Sequence, residues 1–168
     1  YGDDINTDVI YPGRYTYLTL SDEEIASHAL EDLDPTFAQR VQPGDILVGG
    51  WNWGDGSARV QAVICLVFKG VRAIIAKSFA RIYFRNCLNE GLLAIACPDA
   101  AQAAVDGEKV TIDHTRSENI IGQQNFAFEP YPEYVRGLVE AGGIIPYTLQ
   151  KLHRGTSLNK GEGRDGTA

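Results

Sequence analysis

Residues 44–96 read GDILVGGWNWGDGSARVQAVICLVFKGVRAIIAKSFARIYFRNCLNEGLLAIA, and the way short apolar runs alternate there with helical stretches decides the fold class. Asp45 to Val48 makes a short strand after the Pro43-Gly44 turn, while Val71 to Ala76 and Leu92 to Ala96 are continuous apolar runs of the kind found in a covered sheet. Between these runs, Ser57 to Phe68 and Ser78 to Asn89 favour helices, closed by Lys69-Gly70 and by Gly91. Strand, helix, strand, helix, strand makes two crossovers, for which parallel pairing is the natural topology. The middle of the chain is therefore α/β.

Upstream, Ser21 is followed three residues later by Glu24, and Ile25, Ala29, Leu30 and Leu33 recur at helical spacing, so a helix is expected from about Asp22 to Leu33. The first sixteen or so residues are rich in Asp, Asn, Pro and Gly and read as a surface loop, a common place for chemistry. Downstream, Lys109 to His114 and Asn125 to Phe128 alternate polar and apolar residues like strands with one exposed face. Pro132 to Ala141 resembles a helix stopped by Gly142-Gly143, and these segments are expected to add an antiparallel edge to the sheet. Residues 155–168 are glycine-rich with Leu158 as their one large apolar residue, so the ordered domain is expected to span 1–154 and the tail to be flexible.

The 168 residues correspond to about one domain, and an apolar content of 44% supplies a core without disulfides. With 22 acidic against 15 basic side chains, the charge of -7 has the wrong sign for nucleic acid or an anionic membrane. The longest apolar run, Ala62 to Phe68, is far short of the roughly 18 to 20 residues that span a bilayer. No secretory signal opens the chain, which makes the cytoplasm the expected compartment, and the lack of any Met suggests numbering that begins after a missing or processed stretch. Cys65, Cys87 and Cys97 have no CxxC spacing, arguing against a zinc or iron-sulfur site held by this chain alone; they read as small buried apolar residues.

The strongest local signal for chemistry is Gly54-Asp55-Gly56-Ser57-Ala58-Arg59, placed between a strand and a helix. Glycines there let backbone amides converge and a helix N-terminus favours negative charge, so Gly54, Asp55 and Gly56 read as an anion cradle with the Ser57 hydroxyl at its lip. Arg59 offers a planar fork suited to a carboxylate. The same residues also admit a structural reading, with Ser57 as an N-cap and Arg59 as a solvated helix residue. A dinucleotide site is disfavoured, because the glycines are spaced Gly50, Gly54, Gly56 and the second strand ends in Lys77 rather than an acid. Lys77-Ser78-Phe79-Ala80-Arg81 ends the next strand and should face the same crevice, with Arg81 and Arg85 one helical turn apart. Asp3 to Asp8 cluster acidic side chains but lack the spaced ligands of a calcium loop, so an Asx-turn is the better reading. His28, His114 and His153 are scattered, and no GxSxG elbow supports a serine triad.

Taken in order, GDDINTDVIYPGRY, ASH, GDILVGGWNWGDGSAR and VRAIIAKSFARIYFRNCLNEGL resemble the small subunit of 3-isopropylmalate dehydratase and the swivelling domain of the aconitase superfamily. The match runs from about Gly2 to Ile95, with weaker similarity through residues 140–143. The resemblance implies a swivelling β/β/α domain that docks on a large catalytic subunit, where a [4Fe-4S] cluster binds a hydroxy-dicarboxylic acid. It implies a hydro-lyase that moves a hydroxyl between adjacent carbons through an alkene, with Ser57 as the base acting as an alkoxide. No cofactor or metal is then expected on this chain itself. Exposed apolar surface, with Trp51 and Trp53 in it, should join the larger polypeptide or drive self-association.

Departures from the family pattern bear on the substrate. Where the family reads Ser-Ser-Arg-Glu, this chain reads Ser57-Ala58-Arg59-Val60, losing a hydroxyl that contacts substrate in relatives and a carboxylate. Ala58 therefore offers only its backbone amide, and a non-catalytic paralogue is the alternative reading. Tyr17-Leu18-Thr19 aligns with the family's specificity loop, where homoaconitase-like members place an arginine. An apolar substituent such as isopropyl or methyl is favoured over a third carboxylate, since an unpaired carboxylate against Leu18 would be costly. That ranks 3-isopropylmalate ahead of dimethylmalate, homoaconitate or aconitate chemistry, with Arg14 as the nearby cation able to reverse the order.

Overall fold

The computed structural model of the chain describes residues 1–158. Its centre is the expected parallel sheet: β1 (Ile46–Gly49), β2 (Ala73–Ala76) and β3 (Leu93–Ala96) lie in the order β1-β2-β3, with Val48 opposite Ile75 and Ile75 opposite Ile95. The crossovers are α4 (Gln61–Phe68) and α5 (Arg81–Asn89). Side chains alternate across a strand, so β2 builds two cores at once. Ile74 and Ala76 face Val63 and Leu66 of α4 and Tyr83 and Cys87 of α5. Ala73 and Ile75 face the opposite way, joining Leu93 and Ile95 against Ile121 and Phe128. All four β2 side chains are fully buried, which is why the strand reads as an unbroken apolar run.

Ile121 belongs to a second sheet, antiparallel and separate: β4 (Val110–Asp113), β5 (Glu118–Ile121) and β6 (Gln124–Ala127), in the order β4-β5-β6. This corrects the expected antiparallel edge, because these strands pair with one another and lie over one face of the parallel sheet. The layers are therefore antiparallel sheet, parallel sheet and helices, the β/β/α arrangement. Strand β5 escaped notice in the sequence because it sits between a turn whose Asp113 carboxylate accepts from the Thr115 and Arg116 N–H groups and a two-residue turn with Gly122 at φ +57°.

Helix boundaries moved where tertiary contacts claim the backbone. Helix α2 (Asp22–Ser27) has the expected capping box of Ser21 and Glu24 but stops short of Leu33. Leu30 takes φ +56° and donates its N–H to the Ile10 carbonyl, at the end of α1 (Thr7–Ile10), which buries Leu30 completely. Helices α3 (Phe37–Arg40) and α6 (Pro98–Ala103) are short additions the periodicity did not indicate. Helix α7 (Glu133–Ala141) ends in left-handed Gly142 at φ +84°, as expected. It is followed by α8 (Ile144–Leu158), which runs past the expected end of the ordered domain at Arg154; the rest of the expected tail, 159–168, lies outside the described residues. No helix of the described residues is long and apolar enough to cross a membrane.

All three cysteines are free and buried, as expected of small apolar residues, and burial pushes the Cys65 and Cys87 thiols up. Of the two tryptophans expected at the surface, Trp51 is half exposed but Trp53 is fully buried. Gly49 makes the difference, since a Cβ there would lie 2.2 Å from the Trp53 ring.

Candidate functional site

Three loops meet at the carboxyl ends of β1 and β2. Backbone pairing joins two of them: Trp53 donates to the Ser78 carbonyl at 3.0 Å, Ala80 donates to the Trp53 carbonyl at 2.9 Å, and Asn52 N–H reaches Ser78 Oγ at 2.8 Å. The loop after β1 and the Lys77–Arg81 loop therefore share one edge, as the crossover topology required. The third comes from the N-terminus, where Gly54 donates to the Ile5 carbonyl at 2.8 Å and Thr7 donates to the Asp55 carbonyl at 2.7 Å.

These bonds revise the local geometry around Ser57. Helix α4 starts at Gln61, so Ser57 is neither an N-cap nor at a helix N-terminus. The Ser57 N–H is already spent on Thr7 Oγ1 at 2.9 Å. Gly54 cannot serve an anion with an amide committed to Ile5, so the cradle expected of Gly54, Asp55 and Gly56 loses one donor. The glycines have another use: Gly54 at φ +82° passes over the Tyr83 ring and Gly56 at φ +100° passes over the Asn6 amide, close enough that a Cβ at either would collide.

Ser57 itself is an exposed residue. Arg59 Nε donates to Ser57 Oγ at 2.9 Å, and Thr7 Oγ1 lies 3.0 Å from the same oxygen. Arg59 is fixed on its other sides by Thr16 Oγ1, which accepts from Nη1 at 2.9 Å, and by an ion pair between Nη2 and Asp8. Ala58, exposed and without a hydroxyl, is held through its carbonyl, which accepts from Asn86 Nδ2 at 3.2 Å. The Arg59 guanidinium is therefore engaged through all three of its nitrogens, and its Nη2 atom is buried.

Thr7, Asp8, Thr16 and Asn86 meet Ser57, Arg59 and Ala58 through contacts that spacing did not reveal. The stretch Asn6-Thr7-Asp8 was legible as an Asx-turn, and it is one: Asn6 Oδ1 accepts the Asp8 N–H at 2.8 Å. What that turn does is divide three tasks, with Asn6 capping α1, Thr7 meeting Ser57 and Asp8 meeting Arg59. Only the order of that motif relative to the serine loop hinted at the meeting.

The Tyr17-Leu18-Thr19 segment, expected to act as a specificity loop, is joined to this centre at its root. Thr16 binds Arg59 as described, and Tyr15 stacks on His28 with ring centroids 3.7 Å apart while its hydroxyl donates to Glu31. From that anchor Tyr17, 95% exposed, and Leu18, 56% exposed, project into solvent together with Thr19. Arg14 is placed elsewhere: Nη1 and Nη2 bind Asp32 at 2.8 and 2.9 Å and Nη2 also pairs with Glu31, so its fork is filled by carboxylates of the chain. The Arg14 guanidinium in turn holds the Asp32 carboxyl below its usual range. Arg81 and Arg85 are exposed on α5 and enter no ion pair among the described residues. No three His, Cys, Asp or Glu side chains among the described residues converge as a metal site. A cleft of about 700 Å³ opens between β1, α3 and residues 104–110, and none of Ser57, Ala58 and Arg59 lines it.

Comparison with known proteins gives a consistent set of likenesses. The aconitase C-terminal domain family matches residues 3–100. The chain is 42% identical over 154 residues to the 3-isopropylmalate dehydratase small subunit of Moorella thermoacetica, covering 90% of this chain and 92% of that protein. It is 42% identical over 147 residues to the protein of the same name from Helicobacter hepaticus, covering 86% and 88%. A crystal structure of 3-isopropylmalate dehydratase from Methanocaldococcus jannaschii superposes with a TM-score of 0.84 at 38% identity, over 94% of each chain.

Proposed function

The chain belongs to the aconitase C-terminal domain family, alongside the 3-isopropylmalate dehydratase small subunits, and from that premise we propose that it is the small subunit of a hydro-lyase that isomerises a substituted malate, foremost 3-isopropylmalate. The observation that carries this reading is the hydrogen bond from Arg59 Nε to the exposed Ser57 Oγ. An unassisted serine hydroxyl is far too weakly acidic to serve as a base at neutral pH, and a guanidinium donating directly to its oxygen favours the oxyanion.

Dehydration takes a proton from one carbon and a hydroxyl from its neighbour, and rehydration returns them exchanged. This chain supplies the group that takes and returns the proton: Ser57 Oγ removes it from the carbon next to a carboxylate. Arg59 stabilises the oxyanion through Nε and places a positive charge beside the substrate carboxylate. Ala58 contributes its backbone, and Tyr17, Leu18 and Thr19 offer the alkyl substituent an apolar edge. With Arg14 filled by Asp32 and Glu31, the arginine next in the chain to the Tyr17-Leu18-Thr19 loop is engaged and not open to a third carboxylate, which supports the alkyl-substituted acids over homocitrate or citrate.

We assign the [4Fe-4S] cluster to a large-subunit partner, since the described residues offer no donor set for it and no step above runs through it. The exposure of Ser57 supports the same division, because an oxyanion base needs a wall that excludes water and this chain alone supplies none. We therefore read the chain as active only in that complex, residues 1–154 as its swivelling domain, and the cytoplasm as its compartment. Ala58 and Val60 favour one other reading, a subunit that docks without catalysing.

Reconstitution with a cluster-loaded large subunit, followed by alkene absorbance, tests both. Parent complex should turn over isopropylmalate, and Ser57→Ala should keep partner binding while lowering kcat by about 10² to 10⁴-fold. A stable complex that turns over no malate derivative would establish the docking-only subunit.

A further inference from the structure

We propose that Thr7 is a positioning residue that acts through Ser57: its hydroxyl donates to Ser57 Oγ, fixes the rotamer of that side chain and aims the reactive face of the oxygen outward. This rests on the reading of Ser57 as the base. Thr7 and Ser57 are fifty positions apart in the chain, and nothing in the local sequence of either anticipates the contact.

The direction of the hydrogen bond follows from what else Thr7 does. Its side chain is fully buried, so water cannot satisfy it, and its oxygen already accepts the Ser57 N–H at 2.9 Å. A buried hydroxyl keeps its proton in a hydrogen bond, and among the described residues the acceptor in reach is Ser57 Oγ at 3.0 Å. Thr7 therefore both receives from the Ser57 backbone and gives to the Ser57 side chain, gripping one residue at two points.

With Arg59 Nε donating to the same oxygen at 2.9 Å, Ser57 Oγ receives two hydrogen bonds from inside the chain. In the neutral serine those bonds occupy both lone pairs, and the serine proton points to the exposed side. Once that proton leaves, two donors already stand at the oxyanion and need not rearrange, which is the condition under which such donors are worth most. Thr7 can hold this place because it is the first residue of α1: Asn6 caps the turn and the Asp55 carbonyl accepts the Thr7 N–H at 2.7 Å, so the backbone cannot drift from the serine loop.

The test uses the complex reconstituted with the large subunit and compares Thr7→Val, Thr7→Ser and Ser57→Ala. Thr7→Val is nearly isosteric and removes both hydrogen bonds; kcat should fall by about 10²-fold with KM little changed. The rise of kcat/KM with pH should also move to higher pH, because the oxyanion has lost a donor. Thr7→Ser keeps donor and acceptor and should restore the parent profile to within a few-fold. A Thr7→Val complex with the parent's rate and pH profile, beside an inactive Ser57→Ala, would overturn this role for Thr7 and leave Ser57 as the base. Turnover that survives Ser57→Ala would instead overturn the reading on which it rests. If Thr7→Val does not fold, Thr7→Cys retains the bulk and a weak S–H donor, and should show the same pH displacement in smaller measure; an unmoved profile there counts against the role equally.

Discussion

Ser57 shows how a single residue takes its chemistry from others far along the chain. Its N–H, its oxygen and the arginine beside it are all occupied by the segment containing Thr7, Asp8 and Thr16, so on the proposed reading its donors stand in place before any substrate arrives. The neighbouring Leu18 has the opposite character. Its N–H donates to the Tyr15 carbonyl at 3.1 Å, at the anchored root of the loop, and the residue is 56% exposed, which leaves side-chain surface to meet a ligand. An alkyl group buried there gains about 0.8 kcal/mol per methylene, while a carboxylate would face the apolar Leu18 side chain. Leu18→Arg should accordingly shift the ratio of kcat/KM for homocitrate over isopropylmalate upward by at least about tenfold. A ratio that stays put, measured in the reconstituted complex, would make the alkyl preference a property of the partner.

At the scale of elements, the position of the serine loop depends on how closely backbone passes over side chains. Gly54 has φ +82° and its missing Cβ would sit 2.1 Å from the Tyr83 ring, which is itself fully packed and donates its hydroxyl to the Ala62 carbonyl at 3.0 Å. Gly54→Ala therefore combines left-handed strain with overpacking and should cost on the order of 2–5 kcal/mol. Gly107 is the matched control, with φ +80° and nothing within 4 Å of its virtual Cβ, so Gly107→Ala should cost only about 1 kcal/mol. Chemical unfolding of the two variants, compared at equal slopes, reads the difference. The same crowding explains the helix starts: α4 and α5 begin several residues later than their patterns allow, because the residues ahead of them are bonded across loops.

For the whole molecule, the decisive feature is that Ser57, the base proposed above, is an exposed residue and that Tyr17, Leu18 and Trp51 are exposed apolar groups on loops bonded to its neighbourhood. Aromatic residues of this kind are what a partner surface covers. The chain purified anaerobically without the large subunit should therefore carry no stoichiometric iron and show no turnover, and should gain activity and a larger hydrodynamic size when the partner is added. Iron at one cluster per isolated chain would place the metal chemistry on this subunit.

The sequence by itself determined the parallel three-stranded sheet, its two crossover helices, the capping box at Ser21 and the placing of the Lys77 and Ser57 loops on one edge. Each of these follows from the spacing of residues close together in the chain, and such spacing survives in any fold the chain adopts. Tertiary structure decided the rest. It set the second sheet on the face of the first, drew Trp53 inward over Gly49, turned Arg14 toward Asp32 and moved the start of α4 from Ser57 to Gln61. Above all it brought Thr7 and Asp8 to Ser57 and Arg59 across half a hundred residues. The reason is physical: helix and strand periods record which face of an element is buried, whereas the partner of a buried hydroxyl or a guanidinium is fixed only when separate elements close on one another and water is excluded.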